Sequence, residues 1–365
     1  MNFYLISNSF KSFYLFRKDI ILKLSKKYNI ILIANSDPHI KFFENRKNIT
    51  CIKLNNTFNN KSIFKNMIFS IRLIYQFIKV KPYIVQTYTI HPNILCIPIA
   101  KLFGSKTSAM ITGMGATSIT KNTKVKNLIN YFYKLSFYFC DHLFFVNSDN
   151  ENFFKSKLGL KNKSTRIFGA GVSVRKSFLK KNFIKNRYNL ANTFNILFLG
   201  RIIKEKGVLD LIKIFKLLNI KNKKLIFIGD VDKSGFSREI NKSIFNYPNI
   251  IFLGHIKDPE DLYNLADLFI LPSYTEGMPT TLMEAIKHKV PTLSYKIPGV
   301  NDVIKDNING CSVNCGEINQ MINKIYKIYK NKNFRLNLIK NSNKTLIKFD
   351  RKNIIDKVYN VYENL

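Results

Sequence analysis

Short apolar runs alternate along the chain with longer stretches whose apolar residues recur every three or four positions. "FYLIS" precedes "FYLFRKDIILKLSKKY" and "IILIAN", "YIVQTYT" precedes "NILCIPIAKLFG" and "SAMIT", and "HLFFVNS" precedes "DNENFFKSKLG". The rhythm restarts at Phe194 with "FNILFLG", "KGVLDLIKIFKLL", "KKLIFIGD", "NIIFLG", "DLYNLA", "DLFILPS", "TTLMEAIKH" and "PTLSY". A short continuous apolar run fits a strand buried on both faces, and the 3.6-residue recurrence marks a helix. Strands alternating with helices pair in parallel through βαβ units, so the fold class expected is α/β with doubly wound parallel sheets. The rhythm occurs twice, on either side of a polar, basic stretch around "VSVRKSFLKKNFIKNRYNLANT". That predicts a linker near residues 174–192 and two domains, 1–175 and 190–346. The last stretch, 347–365, contains "DRKNIIDKVYNVYENL" and reads as a closing helix that packs back toward the N-terminal domain.

Composition narrows the class. A chain of 365 residues suits two cores, and 46% hydrophobic with 13% aromatic residues excludes wholesale disorder. No apolar run reaches the length that spans a bilayer, and "MNFYLISNSF" lacks the basic start of a signal peptide, so none is expected. Cys51, Cys96, Cys140, Cys311 and Cys315 are odd in number and scattered, with no second pair at zinc spacing, which fits free thiols in a reducing compartment.

The formal charge of +36 brings three kinds of partner into view: nucleic acid, an anionic membrane surface, and phosphorylated ligands. The lysine excess, the absence of tryptophan and the abundance of Asn and Ile also fit the compositional bias of an AT-rich genome. Residues 1–200 carry 32 Lys+Arg against 6 Asp+Glu, a net +26, and residues 201–365 carry 27 against 17, a net +10, so the excess is expected in the first half. No nucleic-acid reading module accompanies it, and a nucleic-acid partner is not expected. Residues 60–82 and 123–139 mix Lys with aromatic and aliphatic residues at helical spacing. Each reads first as a helix with an apolar face in the core, and for the whole domain the mixture fits peripheral attachment to anionic lipid.

In open parallel sheets ligands bind beyond the carboxyl ends of the strands, and two such sheets would share a central cleft. In "ILFLGRIIKEKG", Gly200 ends a strand, Arg201 follows at its tip, and Lys206 and Gly207 open a helix. Such an Arg and Lys can clamp a diphosphate, the one through its planar fork and the other as a point charge, although alone they also fit a solvated helix start. In "LPSYTEGMPTTLMEAIKHKVPT", Gly277 lets backbone approach a ligand, Pro279 suits a first helical turn, and amides near Thr280 and Thr281 can face phosphate oxygens. Glu276 precedes that helix and Glu284 lies inside it. Carboxylates accept hydrogen bonds from the adjacent hydroxyls of ribose and hexose rings, and Glu284 lies among apolar neighbours where an unpartnered charge is costly. "GDVD" places Asp230 and Asp232 as a pair able to hold a divalent cation, but the Arg and Lys already offer charge for a diphosphate, so no metal is expected.

Together these motifs resemble the retaining glycosyltransferases of family 4, which have the GT-B fold. "ISNSFKSFYLFR", "TYTIHPN", "ITGMGATSI", "FFVNSDNENFF", "GAGVSVRKSF" and "LPSYTEGMPTTLMEA" extend the resemblance over nearly the whole chain. They are similar to the bacterial capsule, O-antigen and protein-glycan branch, including the N-acetylgalactosaminyltransferase that extends undecaprenyl-diphosphate-linked bacillosamine.

The resemblance implies two Rossmann-like domains facing a cleft. Arg201 and Lys206 would hold the donor diphosphate. Glu284 would bind ribose hydroxyls, and Glu276 would contact the transferred sugar beside Gly277, Met278, Pro279, Thr280 and Thr281. Gly229, Asp230 and Gly254 would lie near the nucleotide. On the acceptor side it implies Asn8, Ser9, Arg17, His91, Gly113 and Met114. Asn8 and Ser9 stand where many members carry a glycine pair, and Thr112, Gly113 and Met114 where many carry a histidine. His91 ends another strand and fits either a substrate contact or a satisfied structural histidine.

The reaction implied is transfer of a hexose or N-acetylhexosamine from a nucleotide-diphosphate sugar, UDP-GalNAc or another UDP-sugar, to an undecaprenyl-diphosphate-linked sugar, with no cofactor. The departing phosphate oxygen would take the acceptor's proton on the front face, unlike the carboxylate nucleophile of retaining hydrolases. Placement would be cytoplasmic, on the inner face of the bacterial membrane. A nucleotide-sugar epimerase of the same fold is the alternative, but it would need acid and base groups around the sugar that the two glutamates do not suggest.

Overall fold

The computed structural model describes residues 1–54, 63–113, 123–173, 181–231 and 247–365. The chain divides into two compact units, Met1–Ala170 with Lys352–Leu365, and Gly171–Arg351.

The strands are β1 Asn2–Ser9, β2 Asn29–Asn35, β3 Ile49–Leu54, β4 Ile84–Tyr88, β5 Lys106–Ile111, β6 His142–Phe145 and β7 Lys163–Arg166 in the first unit. Those of the second are β8 Phe194–Leu199, β9 Lys223–Ile228, β10 Ile250–Phe252, β11 Leu268–Leu271, β12 Thr292–Tyr295 and β13 Cys311–Val313. The described α-helices of seven residues or more are α1 Phe10–Leu24, α2 Ile63–Lys79, α3 Ile90–Leu102, α4 Thr123–Tyr138 and α5 Lys181–Arg187. They continue with α6 Val208–Leu217, α7 Thr280–Lys287, α8 Ile318–Lys330, α9 Lys332–Thr345 and α10 Arg351–Glu363.

Both sheets are parallel throughout, ordered β3-β2-β1-β4-β5-β6-β7 and β10-β9-β8-β11-β12-β13. In each the chain starts at a central strand, winds to one edge, then returns to wind to the other. The strand order therefore reverses between β1 and β4 in the first unit and between β8 and β11 in the second. Those are the switch points where doubly wound sheets bind ligands.

Alternate residues of the first sheet serve two layers, as the two-residue strand period requires. Tyr4, Ile6 and Val85 pack with Phe69, Leu73 and Phe77 of α2 and with Cys96 and Ala100 of α3. Ala109, Ile111, Leu143 and Phe145 pack with Ile97 of α3 and with Tyr133 and Phe137 of α4. Helix α3 is shared by both clusters, so α2, α3 and α4 lie side by side on one face. On the other face Tyr362 of α10 meets Phe3 and Phe144 edge to face at 5.0 and 5.6 Å, and its hydroxyl donates to buried Gln86 at 2.9 Å. Asp356 and Glu363 of α10 pair with Lys23 and Lys27, so the last helix belongs to the first unit.

Two expectations change. Part of the supposed linker is helix α5, in the second unit. Its Ile184 is buried, and Lys185 donates to both oxygens of Asp267 at 2.8 and 2.7 Å. A single apolar face and one buried ion pair are hard to see in a stretch so rich in cations. The charge asymmetry also shrinks once the boundary is placed where the chain folds. The first unit carries 28 Lys+Arg against 8 Asp+Glu, a net +20, and the second 31 against 15, a net +16. The basic segment 171–200 had been counted with the wrong unit.

Candidate active site

The second unit brings its two sequence motifs together at the switch point. Leu199 ends β8, and Ile202 donates its N–H to Asp230 O at 2.8 Å, which fixes the path past the tip. Arg201, between them, is exposed. A single 3₁₀ turn, Lys204–Lys206, leads to Gly207 at φ +67°. A Cβ at Gly207 would lie 1.9 Å from Pro272 O, so only glycine lets this turn press against the loop after β11. Tyr274 donates its N–H to Glu205 O at 2.9 Å and clasps the same two loops.

Lys206 Nζ consequently reaches Glu276 Oε1 at 2.5 Å, and Ser273 Oγ donates to that oxygen at 2.7 Å. The pair is mostly buried, and in such surroundings removal of either partner strands the other charge. Lys206 and Glu276, assigned separate contacts on sequence grounds, hold one another.

Glu284 keeps part of its side chain near the surface, but desolvation of its carboxyl raises its pKa above the ordinary glutamate value. Tyr263 OH donates to Glu284 Oε2 at 2.7 Å and opposes that rise. Tyr263 is itself buried in the 3₁₀ segment Glu260–Leu265 and stacked on His288. The carboxylate is thus aimed by a fixed donor and keeps its other oxygen for further hydrogen bonds.

Thr280 and Thr281 open α7, and Pro279 stands just before it as the N-cap, contributing no side-chain cap. Gly277 O lies where a Cβ on Gly299 would be only 2.3 Å away, so the Gly277–Met278 turn is backed by tight backbone packing. Gly229 donates its N–H to Gly254 O at 2.9 Å, and a Cβ there would meet Gly200 O at 1.9 Å. Gly200, Gly229 and Gly254 therefore line the carboxyl ends of three adjacent strands. Asp230 pairs with His255 at 3.2 Å, both well exposed, and Asp232 lies outside the described residues.

Asp210 of α6 went unnoticed in the sequence. Its Oδ2 accepts from Tyr274 OH at 2.5 Å and from Tyr295 OH at 2.7 Å, joining the loop after β11 to β12. Burial, helped by the adjoining carboxylate, pushes the Tyr274 hydroxyl up to about 12. A cavity of about 600 Å³ lined by Lys185, Asp267, Lys289 and Arg335 opens at the opposite, amino ends of the strands, away from these groups.

At the switch point of the first unit, Thr89 Oγ1 donates to Asn8 Oδ1 at 2.8 Å, tying the residue after β4 to the end of β1. Ser9 is the N-cap of α1, its Oγ accepting from Ser12 N at 3.2 Å, so its hydroxyl has a structural task. Arg17 departs from its expected place. It is only 8% exposed, stacked 3.9 Å over the Tyr88 ring and donating to Ser12 O and Oγ at 3.0 and 2.6 Å. Burial lowers its pKa, and its charge serves the interior of the unit. The apolar and aromatic neighbours that bury it come from β4 and α10, far away in sequence. His91 lies in the first turn of α3, and Gly113 follows β5. Met114 is outside the described residues.

Two doubly wound parallel domains are the architecture of the GT-B class. Superposition agrees: the Anabaena Alr3699/HepE crystal structure in complex with UDP matches with a TM-score of 0.82, covering 100% of both chains at 14% identity. Residues 180–345, inside the second unit, match the family Glycosyl transferases group 1. The second unit is thus a group 1 glycosyltransferase domain, and the relatives that match over more of the chain are glycosyltransferases as well. It is 25% identical to the capsular polysaccharide biosynthesis glycosyltransferase CapM of Staphylococcus aureus, over 99% of this chain and 96% of the relative. It is 27% identical to the N,N'-diacetylbacillosaminyl-diphospho-undecaprenol alpha-1,3-N-acetylgalactosaminyltransferase of Campylobacter jejuni, over 70% of each.

Proposed function

We propose that the protein is a retaining, metal-independent glycosyltransferase that moves N-acetylgalactosamine or a related sugar from a UDP-sugar to an undecaprenyl-diphosphate-linked sugar in surface-glycan assembly. The second unit takes the donor and the first takes the acceptor, at the inner face of the cell membrane. The observation that carries this reading is the contact of Lys206 with Glu276, which gathers residues after β8 and β11 into one polar cluster. Its substrate classes are supported by the relative whose name specifies both transferred sugar and lipid-linked acceptor.

Arg201 and Lys206 bind the diphosphate and stabilise the charge that grows on it as the glycosidic bond breaks. Glu276 holds Lys206 in place and accepts from a hydroxyl of the sugar. Glu284, oriented by Tyr263, accepts from the ribose hydroxyls. The amides around Thr280 and Thr281 add the positive end of α7. The leaving phosphate oxygen takes the acceptor's proton on the face where the new bond forms, so no carboxylate nucleophile is needed. Charge is balanced by protein cations, and no divalent ion takes part.

Purified protein is given UDP-GalNAc, UDP-GlcNAc, UDP-galactose, UDP-glucose or GDP-mannose with EDTA, with and without polyprenyl-diphosphate-linked sugars, and nucleotide release is followed. The expected outcome is acceptor-stimulated release from UDP-GalNAc, with an α-linked product, reduced on the order of 100- to 1000-fold in Arg201→Ala. Release from none of the donors, with no thermal protection by UDP or GDP, sinks the reading.

A further inference from the structure

We propose that the outward faces of α2 and α4 form one membrane-docking surface for anionic lipid. The proposal rests on the lipid-linked acceptor reading only for its purpose; its evidence is separate.

Helix α2 is apolar on two opposite sides. Phe69, Leu73 and Phe77 point into the sheet and are buried. Phe64, Met67, Ile71, Tyr75 and Ile78 follow the same three-and-four spacing on the far side and are 53% to 69% exposed. A helix on a soluble domain normally turns polar residues outward. Helix α4 repeats the pattern. Tyr133 and Phe137 enter the core, while Val125, Leu128, Phe132 and Leu135 run along the outside at 42% to 56% exposure. The two helices flank α3 on one face of one sheet, so both outer stripes face away from it in the same direction. Leu102, at the end of α3 between them, is 84% exposed.

Charge selects the occupant. Neither α2 nor α4 contains an aspartate or glutamate, whereas Lys65, Arg72 and Lys79 stand exposed on α2, and Lys124 and Lys134 on α4. A second copy of this face would set cations against cations with no acid to pair them. Beside Phe64, Tyr75 and Phe132 the rows hold aliphatic side chains, Ile71, Ile78, Leu128 and Leu135, which have no ring on which a nucleobase could stack but suit hydrocarbon. A surface with hydrocarbon below and anionic headgroups above suits both groups: apolar side chains enter the acyl boundary while Lys and Arg reach the headgroups.

The test is co-sedimentation of the whole protein with vesicles of phosphatidylcholine alone or of equal parts phosphatidylcholine and phosphatidylglycerol. Two triple variants accompany it: Ile71→Ser with Tyr75→Ser and Ile78→Ser, and Lys65→Gln with Arg72→Gln and Lys79→Gln. Wild-type protein should bind the anionic vesicles. The charge variant should bind on the order of 100-fold more weakly, at about a factor of five for each of its three cations. The stripe variant should lose at least about 10-fold, because its apolar side chains no longer enter the lipid. Both should keep wild-type unfolding midpoints and wild-type donor turnover on detergent-dispersed acceptor, which separates failure of docking from failure of the enzyme reading. Wild-type protein that ignores anionic vesicles, or a folded stripe variant that binds as wild type does, overturns the proposal. So does a wild-type dimer in sedimentation equilibrium that the stripe substitutions dissociate, which would assign the face to a second copy.

Discussion

The two units share a winding, a parallel sheet and nearly the same net charge, +20 and +16. They differ in where charge and apolar surface are put. The second unit has 15 acids to the first unit's 8, and it buries or pairs several of them around the strand ends: Asp210 beneath two tyrosines, Glu276 against Lys206, Glu284 under Tyr263. The first unit ties neutral groups together at its switch point and sinks Arg17 beneath an aromatic ring. Its exposed large apolar side chains lie elsewhere, in the outward rows of α2 and α4. Among the described residues, the outer helices of the second unit expose scattered large apolar side chains such as Tyr329 and Leu336. Net charge therefore says little about what either unit does, and placement says much more.

The largest expected effect tests how rigidly the second unit holds its site. Gly207 and Gly159 both have φ +67°, one in each unit. A Cβ at Gly159 meets nothing within 4 Å, whereas at Gly207 it meets Pro272 O at 1.9 Å. Gly159→Ala should cost about 1 kcal/mol, the backbone strain alone. Gly207→Ala should cost about 3–5 kcal/mol, because the loop after β11 must move. Urea unfolding measures both. Equal costs would mean that the turn carrying Lys206 is not pinned by Pro272, and the contrast between the units would lose its structural basis.

Sequence reasoning reached both sheets because strands buried on two faces read as continuous apolar runs and turns as breaks between them. Arg201, Lys206, Glu276 and Glu284 stand out as candidates in the sequence because they follow predicted strands at short, fixed distances, and the structure joins Lys206 to Glu276 directly. Long-range partners were not legible. Tyr263 reaches Glu284 across 21 residues, and Tyr295 reaches Asp210 across 85. Nothing local marks such tyrosines as anything but core. Arg17 was misread for the same reason: its neighbours Tyr88 and Tyr362 come from β4 and α10. The outward stripe of α2 was hidden by its inward one, since a helix apolar on both sides has no period that distinguishes core from surface.

The middle effect concerns Glu284. Burial raises its pKa in the folded protein above that of the unfolded chain. For an acid shifted upward, the ionised form costs folding stability above the folded pKa, and the cost disappears as pH falls through it. Donor affinity runs the opposite way, because the hydroxyl-accepting carboxylate is lost through the same range. Glu284→Gln should therefore make the unliganded protein slightly more stable at neutral pH. It should weaken UDP-sugar binding by about 10- to 100-fold, the usual loss for hydrogen bonds to a charged group. Calorimetric titration at several pH values checks this, and the variant should also flatten the acidic fall in affinity. A variant that loses stability and keeps its affinity would make Glu284 a structural residue and remove the sharpest chemical difference between the units.

The smallest expected effect sharpens the other side of the contrast. Leu73 and Tyr75 are two residues apart on α2, the first buried against the sheet and the second 65% exposed. If the outer stripe contributes nothing to folding in water, Tyr75→Ser should change unfolding free energy by no more than about 0.5 kcal/mol, as for other surface positions. Leu73→Ser supplies the scale, at about 3 kcal/mol or more from lost burial and a hydroxyl placed in the core. Urea unfolding of both variants without lipid makes the comparison. A cost for Tyr75→Ser approaching that of Leu73→Ser would mean that the exposed row is already covered within the protein, and its apolar character would then be explained by packing. A negligible cost leaves a row of large apolar side chains that folding does not require, held outward on a helix with no acid, and places the reason for their presence outside the chain.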